Sequence, residues 1–316
     1  MTRVVVLMGG RSSEHEVSLD SAQSVAAALQ ARGHEVTTIE IGRSETWLPD
    51  GATVEQLRNA DVVFPVLHGP FGEDGSVQGL LELAGVAYVG AGVAASSLAM
   101  DKDLFKSVMR DHGVPVTRNF TLRNGDAPDN PYGYPVFVKP ARLGSSVGIS
   151  KAHDETELRT AVTLAFEHDE KVLVEEFVEG IEVEVGVLGN EAPTVSLPGE
   201  IVVKGAEWYD YSAKYDEGGM ELVVPPRVPP AQIARVRELA LAAFVASECE
   251  GMARIDMFVR HDGEVLVNEL NTIPGFTGTS VYAKLFEASG IPYADLLERL
   301  IELALDRRRR RASLKY

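Results

Sequence analysis

The chain has 316 residues, a formal charge of −17 and a single cysteine. That length suits about one to three domains, and a 45% hydrophobic share is enough for substantial cores. So acidic a chain is a poor nonspecific nucleic-acid binder. Lone Cys249 excludes internal disulfides and fits a reducing, cytoplasmic setting. No apolar run reaches the length of a membrane span, and no secretory pattern precedes the first strand.

Residues 1–92 alternate strand and helix patterns. Residues 4–8 (VVVLM) read as a buried strand, followed by the loop GGRSSEHEVS and a helix ending at Gly33. Residues 35–41 and 62–67 read as further strands, 77–85 as a helix and 86–90 as a returning strand. This is a Rossmann-like parallel α/β unit, with ligand loops expected at the strand C-termini. Gly90-Ala-Gly-Val-Ala-Ala95 fits a dinucleotide pattern. The first strand-to-helix turn, where that fingerprint belongs, carries GGRSSEHE instead, so NAD binding is not expected.

Residues 93–180 form a second unit. A helix is expected over 99–113, strands over 116–122 and 134–140, a helix near 154–168 and a strand over 172–178. Lys139 closes an apolar strand just before Gly144-Ser-Ser-Val-Gly148. Glycines let backbone N–H groups approach a phosphate, Ser145 and Ser146 add hydroxyl donors, and a lysine at the root adds a point charge. A flexible connector would look the same, and GxxxxGK[ST] is absent. Val172–Val185 reads as two strands around a turn, with Glu182 and Glu184 on one face. That hinge could read an adenine amino group and hold ribose hydroxyls, or be a wet amphipathic strand.

The third unit, 181–316, holds a strand, a helix over 231–251 with Cys249 as core filler, a hairpin and a final helix from Tyr293. Residues 205–226 lack apolar periodicity but carry Trp208, Tyr209, Tyr211 and Tyr215, which suits a functional lid. Arg307–Arg311 reads as a frayed, solvated tail that suits a helix C-terminus.

The hairpin Arg254–Asn271 is the most informative stretch. Both arms alternate, and Asp262-Gly263 reads as a two-residue turn. That register sets Asp256 against Glu269 and Arg254 against Asn271. Facing carboxylates repel, so a cation belongs between them. Two acids and an amide are hard-oxygen ligands, which favours Mg²⁺. A solvated sheet face with chance acids is the bland alternative. The loop Asn271–Ser280 that follows can aim glycine N–H groups at an oxyanion beside the cation.

Together these segments resemble the ATP-grasp carboxylate–amine ligases, and within them the D-alanine–D-alanine ligase family. The likeness runs through GGRSSEHEVSL (9–19), LHGPFGEDGSVQG (67–79), MDK (100–102), VKPARLGSSVG (138–148), YDYSAKY (209–215), RIDMF (254–258) and NELNTIPGFTGTS (268–280). It implies an α/β, in part α+β, three-domain ATP-grasp architecture. The domains would be 1–92 for substrate, 93–180 as the central subdomain and 181–316 as the catalytic subdomain with lid 205–226. It implies ligation of two D-alanines through a D-alanyl phosphate, releasing ADP and phosphate for peptidoglycan synthesis. D-serine or D-lactate as second substrate, or a non-catalytic nucleotide binder, are the alternatives.

The same resemblance implies roles by position. Lys102, Lys139 and Ser146 would contact ATP phosphates. Glu175, with the backbone of Glu176 and Val178, would hold adenine, and Glu182 the ribose. Asp256, Glu269 and Asn271 would bind two Mg²⁺ ions, with Mn²⁺ as a substitute. Arg254 and the Gly275 N–H would stabilise the tetrahedral intermediate. Glu14 would hold the first D-alanine's ammonium, with His68 near its carboxylate. Ser280, Val281 and Lys214 would line the second D-alanine site, Lys214 also reaching ATP. Tyr215, Ser145 and Glu14 would tie lid, glycine loop and first domain together. Val281 stands where leucine is common in the family. A homodimer is implied, with no nucleic-acid or membrane partner.

Overall fold

The computed structural model describes residues 1–43, 51–204 and 219–315. Strands β1 (Arg3–Gly9), β2 (Glu35–Ile41), β3 (Val62–Pro65) and β4 (Ala87–Tyr88) form a parallel sheet in the order β2-β1-β3-β4. Alternate residues of β1 serve two cores. Val4 and Val6 pack with Ala22, Val25 and Leu29 of α1 (His15–Ala31), whereas Val5 and Leu7 pack with Leu57 of α2 (Gly51–Asn59) and Leu81 of α3 (Ser76–Ala84). A strand buried on both faces reads as the continuous apolar run that VVVLM is.

A second, antiparallel sheet has the order β5-β8-β6-β7, from β5 (Asn119–Arg123), β6 (Val136–Pro140), β7 (Ser150–Ala152) and β8 (Lys171–Glu176). Val136, Val138, Val172 and Val174 bury one face under α6 (Glu155–Phe166). By the two-residue period, Phe137, Lys139 and Glu175 turn the other way.

The largest sheet runs β12-β11-β9-β13-β14, with β10 beside β9. Its strands are β9 (Gly180–Gly189), β10 (Thr194–Val195), β11 (Gly199–Val203), β12 (Met220–Val223), β13 (Gly251–Arg260) and β14 (Val265–Asn271). Val183, Val185, Ile255 and Met257 face a core shared with α4 (Val93–Met100), α5 (Lys102–Asp111) and α7 (Pro230–Ala246). The opposite face carries the acids. Helices α8 (Val281–Ala288) and α9 (Tyr293–Ala312) follow, and α9 packs Leu296, Leu297 and Leu300 in the core beneath β1 and β3.

Several expectations are corrected. The helix expected over 99–113 begins at Lys102, because Asp101 is extended and its carboxylate accepts from Leu104 N at 3.2 Å as an N-cap. A separate helix, α4, precedes it. Strands β8 and β9 belong to different sheets, so Phe177–Glu179 is a crossing between sheets rather than a hairpin turn. Within the segment expected as a lid, Met220–Val223 pairs with β11 as a strand; Trp208, Tyr209, Tyr211, Lys214 and Tyr215 lie outside the described residues.

The hairpin turn is not the two-residue Asp262-Gly263 turn. Arg260 N bonds to Glu264 O across three residues, with Gly263 left-handed at φ 91°. Near the turn Met257 therefore faces Val267, one residue out of the expected register. A bulge at Asn268 takes up the difference, and Asp256 still faces Glu269 and Arg254 still faces Asn271. Nor do the arginines fray. Arg307 lies within α9, nearly fully buried, and donates to Tyr88 O at 2.7 Å and to Gly90 O, with its guanidinium 4.2 Å over the Tyr88 ring. Arg310 and Arg311 pair with Glu250 and Glu82. Arg307, Arg310 and Arg311 thus clasp the parallel sheet to the large one, while Arg308 and Arg309 face solvent. Cys249 is buried, as core filler should be.

Candidate active site

Two cavities meet between the three sheets. A cleft of about 430 Å³ opens between the two antiparallel sheets and is lined by Lys102, Phe137, Lys139, Ser145, Ser146, Glu175, Glu176, Val178, Glu182, Phe258, Asn268 and Glu269. A neighbouring cavity of about 350 Å³ is lined by Glu14, His68, Glu73, Ser145, Arg254, Glu269, Asn271, Gly275, Ser280 and Val281. The residues expected at a nucleotide gather in the first, and those expected at an amino acid in the second. Gly144, Ser145 and Glu269 line both. Lys214 and Tyr215 lie outside the described residues.

In the cleft, Glu175 is buried between two ammoniums, with Lys106 Nζ 2.6 Å from Oε1 and Lys139 Nζ 2.5 Å from Oε2. Burial alone would raise its carboxyl pKa, but the two lysines prevail and hold it at about 2. Burial likewise works against the Lys139 charge, and Glu175 and Glu269 outweigh it, so that ammonium titrates above its usual range. Lys102 Nζ donates to Leu143 O at 2.7 Å and lies 3.5 Å from Glu269 Oε2. This ties the start of α5 to the glycine loop. Ser145 and Ser146 are consecutive left-handed residues, φ 52° and 59°. Side chains rarely adopt that backbone, and such strain clusters at ligand clamps. Glu176, where the chain crosses between sheets, has its carboxylate held by Arg118 at 2.7 Å and by Arg260 at 3.1 Å.

On the large sheet, Glu184, Asp256 and Glu269 face one another across β9, β13 and β14. Arg254 grips Asp256 with two bonds of 2.7 Å and lies 2.9 Å from Glu184. Asn271 Nδ2 donates to Asp256 Oδ2 at 3.0 Å. Arg254 thus bridges Asp256 and Glu184, which is not the Asp256–Glu269 pair between which the sequence places a cation. Asp256 is buried and, unlike Glu269 and Asn271, lines neither cavity. Among the described residues, no three His, Cys, Asp or Glu side chains cluster as metal ligands. Two carboxylates and an amide oxygen nonetheless match the hard-donor chemistry of Mg²⁺.

The second cavity is built from loops at the C-terminal ends of β1 and β3 and from the segment after β14. Glu14 precedes α1, and its carboxylate oxygen lies 3.4 Å from where a Cβ on Gly144 would stand. His68 Nδ1 meets Ile273 O at 3.0 Å, so that nitrogen carries the proton, while buried Nε2 has no partner among the described residues. Burial lowers its pKa and keeps the ring neutral. Nε2 is therefore an acceptor. Phe276 packs against Phe64, Tyr282 and Tyr293 and so fixes the loop that carries Gly275. Thr277 N donates to Ser280 Oγ at 3.0 Å.

Sequence reasoning missed Lys106, Glu73 and Asn268. Lys106 follows Lys102 by one helical turn, a readable signal. Glu73 sits inside the quoted HGPFGEDG segment, where it accepts from Gly69 N at 2.8 Å and Ile273 N at 3.0 Å. Asn268 opens the quoted NELNTIPGFTGTS segment; it stands at the bulge, 3.5 Å from the Lys139 ammonium.

Two antiparallel sheets clasping a charged cleft beside a parallel α/β unit define the ATP-grasp fold. The family described as D-ala D-ala ligase C-terminus matches residues 108–302, and D-ala D-ala ligase N-terminus matches 3–60 and 49–91. A D-alanine–D-alanine ligase of Solibacter usitatus is 48% identical, covering 99% of this chain and 98% of that protein. The VanG D-Ala:D-Ser ligase of Enterococcus faecalis superposes with a TM-score of 0.84 at 35% identity, covering 96% and 99%. The D-alanine–D-alanine ligase of Bacillus anthracis, solved with ATP, gives 0.84 at 29% identity, covering 98% and 100%. The chain belongs to the D-alanine–D-alanine ligase family.

Proposed function

We propose that the chain joins two D-alanines into D-alanyl-D-alanine with ATP, for peptidoglycan precursor synthesis. The observation that carries this reading is the junction of the two cavities at Gly144, Ser145 and Glu269. There the phosphate end of a nucleotide meets the carboxylate of an amino acid. A carboxylate resists amines because its oxygen is a poor leaving group. Its attack on the terminal phosphorus releases ADP and gives an acyl phosphate, and the second amine then displaces phosphate.

In this reading Lys102, Lys139 and Ser146 hold the phosphates, Glu175 with the backbone of Glu176 and Val178 reads adenine, and Glu182 takes the ribose. Glu14 receives the first ammonium. His68, whose free nitrogen is an acceptor, also suits a donor such as that ammonium. Arg254 and Gly275 N–H stabilise the oxyanion. Ser280 and Val281 line the second amino acid's place, with Lys214, while Tyr215 joins Ser145 and Glu14. Asp256, Glu269 and Asn271 would hold two Mg²⁺ ions, or Mn²⁺, which neutralise charge on the transferred phosphoryl group. Domains 1–92, 93–180 and 181–316, a homodimer and a cytoplasmic setting complete the reading. Among the described residues no helix is long and apolar enough to cross a membrane.

The test is direct. Purified protein with ATP, Mg²⁺ and D-alanine should release ADP and D-alanyl-D-alanine. Turnover only after D-serine or D-lactate is added would overturn the assignment of the second substrate. The likeness to the D-Ala:D-Ser ligase makes D-serine the second reading.

A further inference from the structure

A fully buried cation stands behind the nucleotide cleft and lines neither cavity. Lys106 is 0% exposed. Its ammonium donates to Thr117 Oγ1 and shares the Glu175 carboxylate with Lys139, each lysine meeting a different oxygen. A buried ammonium is costly unless it is paired and hydrogen-bonded. The structure keeps two cations on one anion. With Lys106 present, the trio carries one surplus positive charge, and of the two ammoniums only that of Lys139 belongs to a residue lining the cleft. Without it, Lys139 and Glu175 would close into a neutral pair.

We propose that Lys106 is a positioning residue for the nucleotide: by sharing the charge of Glu175, it leaves Lys139 with a net positive charge toward the phosphates. Lys106 acts through Lys139 and touches no ligand. The inference rests on the reading that this cleft takes ATP. It separates adenine recognition, which belongs to Glu175 and the sheet crossing, from anion recognition, which depends on a residue on the far side of that carboxylate. Burial pulls the Lys106 pKa down to about 8, and Glu175 opposes the fall, so the ammonium is charged at neutral pH.

The test compares ADP with adenosine, because only ADP carries phosphates. Dissociation constants are measured by calorimetry at fixed Mg²⁺ for the wild type, Lys106→Met, Glu175→Gln and the double variant, with melting curves to confirm folding. Lys106→Met should weaken ADP about tenfold and leave adenosine unchanged, as expected for loss of one nearby charge in a partly screened site. Adding Glu175→Gln should restore the ADP-to-adenosine ratio, even though adenosine itself weakens. Glu175→Gln alone should raise that ratio above the wild type, and this variant decides the matter if Lys106→Met does not fold. Equal weakening of ADP and adenosine in Lys106→Met, or a ratio blind to Glu175, would overturn the inference. Failure of the wild type to bind ADP would instead overturn the ATP reading beneath it.

Discussion

Replacing Arg254 by Met tests whether one guanidinium both stabilises the sheet and serves the chemistry. Glu184 and Asp256 face each other on adjacent strands, and both are buried. Arg254 gives Asp256 two charge-assisted bonds and lies against Glu184 as well. Removing one partner of a buried ion pair costs about 3–5 kcal/mol. The Arg254 side chain is 17% exposed and Asn271 still donates to Asp256, so the lower end applies, about 3 kcal/mol. That is roughly two powers of ten in the folding equilibrium. Urea unfolding followed by circular dichroism, extrapolated linearly to water, reads the loss. Adding Glu184→Gln removes one of the repelling carboxylates and should recover most of the stability. Turnover, measured as ADP release with D-alanine, should stay down by about a hundredfold or more, because the oxyanion donor is still missing. Recovery of turnover along with stability would refute a role for Arg254 in the reaction. A loss below about 1 kcal/mol in the single variant would refute the claim that the facing acids depend on it.

The Glu269 side chain is 20% exposed and lies 3.5 Å from the Lys102 ammonium, so Glu269→Gln, which keeps the side chain's shape, should shift the melting temperature little while abolishing ADP release; retained turnover removes Glu269 from the mechanism. Arg307→Met strips donors from Tyr88 O and Gly90 O and removes the cation from the Tyr88 ring. Each orphaned carbonyl costs about 1–3 kcal/mol, partly offset by no longer burying a guanidinium, so a net loss of about 2–4 kcal/mol is expected in urea unfolding. A neutral result would return the arginines to the solvated tail that the sequence suggested. Burial and the nearby Glu14 charge push Glu73 from 4.5 up to about 8. Between those values the native state keeps a proton that the unfolded chain has lost, so stability present below about 4.5 declines with rising pH and is gone above about 8. Glu73→Gln cannot ionise and should flatten that decline; identical slopes in the two proteins would contradict it.

The parts of the site that lie on strands were legible because a two-residue period fixes which side chains share a face. Glu182 and Glu184, or Arg254 and Asp256, could be grouped from sequence alone. The hairpin shows the limit of that logic. A three-residue turn and a bulge each shift the register by one, in opposite senses, and the facing pair survives both. The expectation for the pair succeeded while the turn beneath it was wrong, because turn geometry and bulges depend on backbone dihedrals that side-chain alternation does not report. Charge partners were harder still. Lys106 and Arg307 sit in helices where a charged residue ordinarily faces water, and their partners are distant in sequence: Tyr88 O is 219 residues from Arg307. Only the packed fold shows that these cations are buried.

That distinction bears on how the site is assembled. Glu14 and His68 follow β1 and β3, where a parallel sheet presents its ligand loops. Arg254, Asn271 and Gly275 belong to a different sheet and the segment leaving it. Chain connectivity does not set the distance between these groups; contacts across the seam do. Glu73 accepts from Ile273 N, His68 binds Ile273 O, Phe276 packs on Phe64, and Arg307 reaches Gly90 O. Each contact joins the parallel unit to the large sheet or to the segments that follow it, and most converge on residues 273–276. The pocket proposed for the first amino acid is therefore clamped by buried contacts between the parallel unit and residues 273–276.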